Sequence, residues 1–315
     1  MTVCIGVILE EGILLATDSR GTWELPNGEK RYKDNLQKLF ALNPYTLVGI
    51  AGDVQLAIET LKCSDITKKT REEAYSTVDE LKGALIATIK ESYINICKKY
   101  NRKRPVEFMV GAVNPHQRKM INGKEFFEFC KRKKSGSFPG HFVESLKRSK
   151  NGYFPWGNAP DSTLFYLRLP ENHLKECRYI GVLAAGSGSF IESDLNKQDR
   201  IDMFRYWTMN TDMGNLWVLL TDLGKEISQR EVTVGGLLQV GVMSSRGVLF
   251  QQYEHNELDG SGGGFAMVIE SGRWVQKNLK TGQTIKIMRP EEVINMSSLD
   301  ETKFDYKGKK LDFEE

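Results

Sequence analysis

Thr-Val-Cys-Ile-Gly-Val-Ile-Leu-Glu-Glu-Gly-Ile-Leu-Leu-Ala-Thr-Asp-Ser-Arg occupies residues 2–20. Its first part, residues 3–9, is an almost continuous apolar, β-branched run, the pattern of a strand covered on both faces. Glu10-Glu11-Gly12 supplies a turn, and residues 13–17 read as the returning strand of a hairpin. A hairpin brings the end of its second strand back beside the start of its first. Thr17-Asp18-Ser19-Arg20 is therefore expected beside Thr2.

Outward from this hairpin, residues 21–35 are charged and contain Gly and Pro, the composition of a loop. Residues 38–42 and 46–51 are short strand candidates around Asn43-Pro44. Val78, Leu81, Leu85, Ile89, Tyr93 and Ile96 recur three or four apart, on one face of a long helix. Strand character returns at 106–113, 162–169 and 179–185. Helical segments are expected at about 190–209 and 214–229, the second with Leu216, Leu220, Leu223 and Ile227 on one stripe. A last strand pair, 234–244 and 248–253, flanks the turn Ser245-Arg246-Gly247. The order of strands, helices, strands, helices, strands is neither a βαβ alternation nor an all-β pattern. It predicts an α+β fold of two stacked antiparallel sheets with helices outside each, a four-layer αββα sandwich.

The 315 residues carry 44 Lys/Arg against 41 Asp/Glu, a net charge of +3. That balance points to neither nucleic acid nor membrane. Charge is instead regional: residues 115–152 hold ten Lys/Arg and three Glu, or +7, with Lys131-Arg132-Lys133-Lys134 at their centre. Phe126, Phe127, Phe129, Phe138 and Phe142 are interleaved there. The segment reads as a solvated loop, a subunit contact or, third, a single-strand nucleic-acid surface. Gly260-Ser261-Gly262-Gly263-Gly264 reads as a flexible joint before a strand-rich tail. Cys4, Cys63, Cys97, Cys130 and Cys177 are odd in number and unpaired by motif, which fits a reducing compartment. No leader or membrane-length apolar run is read, so a soluble, cytoplasmic protein is expected.

The chemistry sits at the beginning of the chain. Initiator Met is normally removed before a small residue, which would expose Thr2. An N-terminal threonine carries a hydroxyl and an α-amino group together. The amine has an unperturbed pKa of about 8, so it can take the hydroxyl proton directly or through one water. A second-position threonine alone is far more often processed without serving any chemistry. Asp18 adds a carboxylate at the same end of the hairpin, and Lys38 opens the next strand as a cation able to lower the hydroxyl pKa. Gly52, at a strand end before a helix, is the expected backbone donor to a developing oxyanion.

Thr-Val-Cys-Ile-Gly, Leu-Leu-Ala-Thr-Asp-Ser-Arg, Lys-Leu-Phe, Gly-Ile-Ala-Gly-Asp and Ala-Gly-Ser-Gly-Ser (185–189) resemble proteasome β-subunits in identity, order and approximate spacing. The match covers about residues 2–114 and 162–253. The resemblance implies a proteasome-like N-terminal-nucleophile hydrolase over 2–253, interrupted by an insertion at about 115–160 and followed by a C-terminal extension, 254–315. It implies Thr2 as nucleophile, Asp18 and Lys38 as the charged pair, and Gly52 as oxyanion donor. It further implies Ser187 as partner of the terminal amine and Glu231 in place of a supporting aspartate. Arg230 to Gly236 resembles the family's Arg-Asp-x-x-Ser-Gly segment, but Val234 stands where the family has a serine, and Glu231 is one methylene longer. Loss of Met1 alone, without a longer propeptide, is more like the bacterial proteasome-related proteases. The resemblance also implies a homo-oligomeric ring, a peptide or protein substrate, an unfoldase as possible partner, and no cofactor or metal.

Competing motifs are weaker. Gly186-Ser187-Gly188-Ser189 lacks the third glycine of a dinucleotide fingerprint, since Ile191 falls there, and no acidic residue follows in a βαβ unit. His116, His141, His173 and His255 are scattered, without metal-ligand spacing. The remaining functional alternatives are a non-peptide amidase or peptide ligase working through the same acyl-threonine, a non-catalytic ring scaffold, and a nucleic-acid binder acting through the basic insertion.

Overall fold

The computed structural model describes residues 2–9, 12–24, 27–33, 36–43, 45–63, 75, 77–122, 124, 153–179, 181–187, 189, 192–197, 199–200, 227, 233–235, 237–244, 247–254, 265–270, 273–278 and 284–286. Among these the fold is mixed α and β, dominated by strands. Strands β1 (Val3–Ile8) and β2 (Gly12–Thr17) form the expected hairpin, with Cys4 opposite Thr17 and Ile8 opposite Ile13. Their residues alternate without exception between two burial environments. Val3, Ile5, Val7, Leu14 and Ala16 join one apolar cluster, and Cys4, Ile8, Ile13 and Leu15 join another. A period of two over an unbroken apolar run is what a strand buried on both faces requires.

The hairpin is central to an eight-stranded antiparallel sheet. Its neighbours are β10 (Gly181–Gly186) against β1 and β11 (Leu237–Ser244) against β2, followed by β12 (Gly247–Glu254). The C-terminal strands β13 (Phe265–Glu270), β14 (Arg273–Asn278) and β15 (Thr284–Lys286) continue that sheet beyond β12. The strand-rich extension thus adds to the edge of the main sheet. Strands β5 (Leu39–Asn43), β6 (Thr46–Gly52), β7 (Val106–Asn122), β8 (Tyr153–Leu169) and β9 (His173–Cys177) form a second, five-stranded sheet. Leu39, Leu47, Met109 and Leu164 of this sheet pack against Cys4, Ile13 and Leu15 of the first, so the two sheets stack face to face.

Helices α1 (Val54–Cys63) and α2 (Val78–Tyr100) cover the other face of the five-stranded sheet, against Phe40, Val48, Phe108 and Phe165. The helical stripe read from sequence is the buried one: Val78, Leu85, Ile89, Tyr93 and Ile96 are buried, and Leu81 packs at the margin. The Thr77 side chain accepts the Glu80 N–H at the helix start, and Asn101 ends it in the left-handed region at φ 47°. Thr77 satisfies an otherwise orphan donor and Asn101 tolerates the terminal turn, which fixes both ends. Across the other face of the large sheet, Leu195, in the one-turn helix α3 (Glu192–Leu195), and Ile227 join Val3, Val7 and Val240. The helical segments read at 190–209 and 214–229 otherwise lie outside the described residues. No helix among the described residues is long and apolar enough to cross a membrane.

Three local readings are corrected. Residues 21–35, expected as a loop, contain a hairpin of β3 (Gly21–Glu24) and β4 (Lys30–Lys33). Its turn holds Asn27-Gly28, with Gly28 at φ 82° and the Asn27 side chain accepting the Glu29 N–H. That pair is a hairpin signal overridden in the reading by the surrounding charge. Strand β9 was likewise unread, because its five residues are mostly exposed and carry no apolar alternation. Strands β7 and β8 run well past 113 and start before 162, pairing out to Asn122 opposite Tyr153. Register shifts between Asn114 and Arg118 and between Arg118 and Met120 break the alternation on which strand detection depends. The inner parts of the basic insertion are thus strands; residues 125–152 lie outside the described residues.

Lys119 marks the root of this long hairpin. Its Nζ donates to the Ser162 carbonyl at 2.8 Å, while Asp161 accepts the Val78 N–H at 3.1 Å and so ties the hairpin to α2. Burial pulls the Lys119 ammonium down from 10.5 to about 8, against the opposing pull of Asp161. Between those values the unfolded chain holds a proton that the folded chain has released, so stability rises with pH across the window. Compared with a Lys119→Met variant, the wild type should gain stability from pH 8 to pH 10.5, measured as urea midpoints. A constant difference between the two proteins over that window would contradict the assignment.

Candidate active site

The hairpin does what its sequence requires at its open end. Val3 donates its N–H to Asp18 Oδ1 at 2.9 Å, and Asp18 donates its own N–H to the Val3 carbonyl at 3.3 Å. Asp18 is thereby held beside Thr2. Lys38, immediately before β5, enters from the second sheet. Its Nζ donates to Thr2 Oγ1 at 2.7 Å, to the Arg20 carbonyl at 2.6 Å, and to both Asp18 oxygens at 3.2 Å. Three ammonium protons thus meet a hydroxyl, a carbonyl and a carboxylate.

All three side chains are removed from water: Thr2 and Asp18 are each 1% exposed and Lys38 is 0% exposed. Burying either charge alone would cost several kcal/mol, so each depends on the other and on surrounding dipoles. The Asp18 carboxylate also accepts the Arg20 N–H at 3.1 Å and the Gly235 N–H at 3.4 Å. Burial pushes the Asp18 carboxyl above its usual range, and the Lys38 ammonium and the N–H groups of Val3 and Gly235 oppose that push. Every contact reaching Asp18 comes from a donor, so the ionised form is the one that satisfies them.

Two further expected residues come to the same end. Ser187 N–H donates to the Thr2 carbonyl at 2.8 Å, while its buried Oγ has no hydrogen-bond partner among the described residues. Gly186, the last residue of β10, has φ 64°, and any side chain there would overlap the Thr2 carbonyl oxygen. Gly52 closes β6 at φ 79°, where a Cβ would stand 2.6 Å from the Pro105 carbonyl oxygen. Only glycine adopts such a backbone without strain. Asp53 then caps α1, its Oδ1 accepting the Leu56 N–H and its Oδ2 held by Arg102 at 2.7 Å. Glu231 lies outside the described residues. Val234 belongs to the apolar cluster on the outer face of the large sheet, with Val3 and Val240. Thr233 precedes β11 and is buried.

Sequence reasoning missed Gln239 and Glu107. Gln239 Oε1 accepts the N–H groups of Lys38 at 2.9 Å and Leu39 at 3.1 Å, and its Nε2 donates to the Leu36 carbonyl at 2.9 Å. One amide on β11 therefore fixes the backbone that carries Lys38. Glu107 Oε2 accepts the Gly186 N–H at 2.7 Å. A parity argument finds both. Leu238 and Val240 face the outer cluster, so Gln239 faces inward; Val106 and Phe108 face the helices, so Glu107 faces the other sheet.

Cys4, buried between the sheets, is disfavoured as a thiolate. Burial, then Glu107 and Asp18, raise its thiol pKa far above the ordinary range. Among the described residues no group of three or more His, Cys, Asp or Glu is arranged to hold a metal ion. A scan of the chain against protein-family models and a search of the curated proteins both returned no match.

The Gln239 arrangement predicts a measurable loss. In Gln239→Leu, two buried N–H groups and a carbonyl lose their side-chain partner, and each such group costs about 1–3 kcal/mol. Urea unfolding should show a destabilisation of about 3 kcal/mol or more. A change no larger than that of an ordinary surface substitution would contradict the role assigned to this side chain.

Proposed function

We propose that this chain is an N-terminal-nucleophile hydrolase of the proteasome-like type, cleaving amide bonds in peptide substrates through Thr2. The observation that carries the reading is the buried Lys38 ammonium, 2.7 Å from Thr2 Oγ1 and 3.2 Å from both Asp18 oxygens. A cation donating to a hydroxyl stabilises the alkoxide that develops there, and the adjacent carboxylate holds that cation in place.

In the unprocessed chain the Thr2 nitrogen is part of a peptide bond. Removal of Met1 converts it to an amine. As Thr2 Oγ bonds to the substrate carbonyl carbon, that neutral amine takes the hydroxyl proton. The carbonyl π pair moves onto oxygen, where the Gly52 N–H receives it. Collapse re-forms the carbonyl, breaks the C–N bond and passes the proton to the leaving amine. Water then attacks the acyl-threonine ester by the same proton route and restores Thr2. Lys38 already donates to three acceptors, so it serves as electrostatic stabiliser, and the α-amine serves as base. Ser187, whose N–H holds the Thr2 carbonyl and whose Oγ has no hydrogen-bond partner among the described residues, supplies a polar group for that amine.

The stacked sheets and the α1–α2 layer support the four-layer αββα sandwich expected from the sequence. Under this reading the protein acts in the cytoplasm as a homo-oligomeric ring, without metal or organic cofactor, and an unfoldase delivers protein substrates to it.

Intact mass spectrometry after incubation with a peptide β-lactone tests the assignment. The wild type should have lost Met1 and carry one adduct, and Thr2→Ala should carry none. Retained Met1, or equal labelling of Thr2→Ala, would overturn it.

A further inference from the structure

Glu107 is a carboxylate where the pattern of its strand calls for an apolar side chain. Val106, Phe108 and Val110 point to the helices, and Met109 points between the sheets. Glu107 shares the inward parity of Met109 and is only 8% exposed. It lies opposite Ala51 in the β6–β7 ladder, one residue before Gly52. Its Oε2 reaches across to the other sheet and accepts the Gly186 N–H at 2.7 Å. The next N–H, that of Ser187, holds the Thr2 carbonyl at 2.8 Å. Glu107 Oε1 lies 3.8 Å from Arg168 Nη1, and the charge of the same carboxylate helps raise the Tyr166 phenol pKa, after burial.

Two successive amides of one turn are therefore oriented by opposite partners: Gly186 by a side chain of the second sheet, Ser187 by the main chain of Thr2. The left-handed Gly186 leaves no side chain to keep the turn in place by packing. Besides the Ser187 N–H bond and the pairing of Gly186 opposite Val3, that hydrogen bond ties the turn to the second sheet. Arg168 forms a loose ion pair with Oε1, the carboxylate oxygen that the Gly186 N–H does not use.

We propose that Glu107 is a positioning residue for Thr2, acting through the Gly186–Ser187 turn. The inference rests on the hydrolase reading only where labelling is the readout. Glu107 touches neither substrate nor the reacting atoms, so its loss acts on the orientation of the nucleophile. Small misplacements of a reacting group are costly in rate, about a hundredfold for an ångström.

The experiment compares wild type with Glu107→Ala and Glu107→Gln, using a peptide β-lactone as probe and amide hydrogen exchange without any probe. Glu107→Ala should lower the maximal labelling rate of Thr2 by about tenfold to a hundredfold, with little change in the half-saturating concentration. Glu107→Gln keeps a carbonyl acceptor for the Gly186 N–H and should recover most of the rate. Exchange at Gly186 and Ser187 should accelerate in the alanine variant and return toward wild type in the glutamine variant. The amides of Val3 to Thr17 should stay protected in both, which reports an intact fold. Should Glu107→Ala fail to fold, Glu107→Asp, which withdraws the carboxylate by one methylene, takes its place with the same expectation. Unchanged exchange at Gly186 and Ser187, or a glutamine variant as impaired as alanine, would overturn the proposal. If wild type is not labelled at Thr2, the hydrolase reading fails, and exchange alone decides whether Glu107 sets the turn.

Discussion

A lysine ammonium buried between two sheets, shared by a hydroxyl, a carboxylate and a carbonyl, constrains everything around it. Lys38 arrives from the second sheet; Thr2, Asp18 and Arg20 belong to the first. The contact exists only while both sheets keep their stacking and register. A slip of one residue in β1 or β2 would send Cys4, Ile8, Ile13 and Leu15 to the wrong face. Such a slip would also separate Asp18 from the Val3 amide. The apolar packing between the sheets and the polar cluster at their end therefore select the same arrangement.

The cost of desolvating that pair is met by fixed dipoles rather than by water. Three main-chain N–H groups converge on Asp18, from Val3, Arg20 and Gly235. Gln239 secures the strand that delivers Lys38, and Glu107 secures the turn that meets Thr2. These polar side chains occupy inward positions on otherwise apolar strands, where they satisfy buried main-chain groups. Their placement around Thr2 favours a preorganised site over a purely structural ion pair. Under the proposed reading, such a site needs no reorganisation when charge develops at the Thr2 oxygen.

The central hairpin was legible because it is hydrophobic on both faces and ends in residues of turn and polar type. Helix α2 was legible because its stripe at Val78, Leu85, Ile89 and Tyr93 is sustained over about four turns and the helix is capped at both ends. Asp18 beside Thr2 followed from hairpin geometry, whereas Lys38 was a candidate cation at a strand start whose place in the pair was implied by the resemblance. The long β7–β8 hairpin was hidden by its own register shifts, and β3–β4 by charge on strands only four residues long. Gln239 and Glu107 were overlooked for a different reason. A single polar residue in a strand carries no periodic signal, and its importance appears only when the parity of its neighbours is known. Nothing local to Gln239 announces that it lies beside Lys38, some 200 residues earlier in the chain.

The central claim is that the Lys38–Asp18 pair makes Thr2 a nucleophile, and it can be tested without leaving one buried charge unpaired. An Asp18→Asn/Lys38→Met double variant removes both charges together, which spares the fold the penalty of an isolated carboxylate. The decisive measurement is its rate of Thr2 labelling by a peptide β-lactone, in protein shown by near-ultraviolet circular dichroism to be folded. The account predicts a loss of about a hundredfold or more, the scale of removing one catalytic proton-transfer or electrostatic partner. Labelling of the folded double variant at the wild-type rate would contradict it.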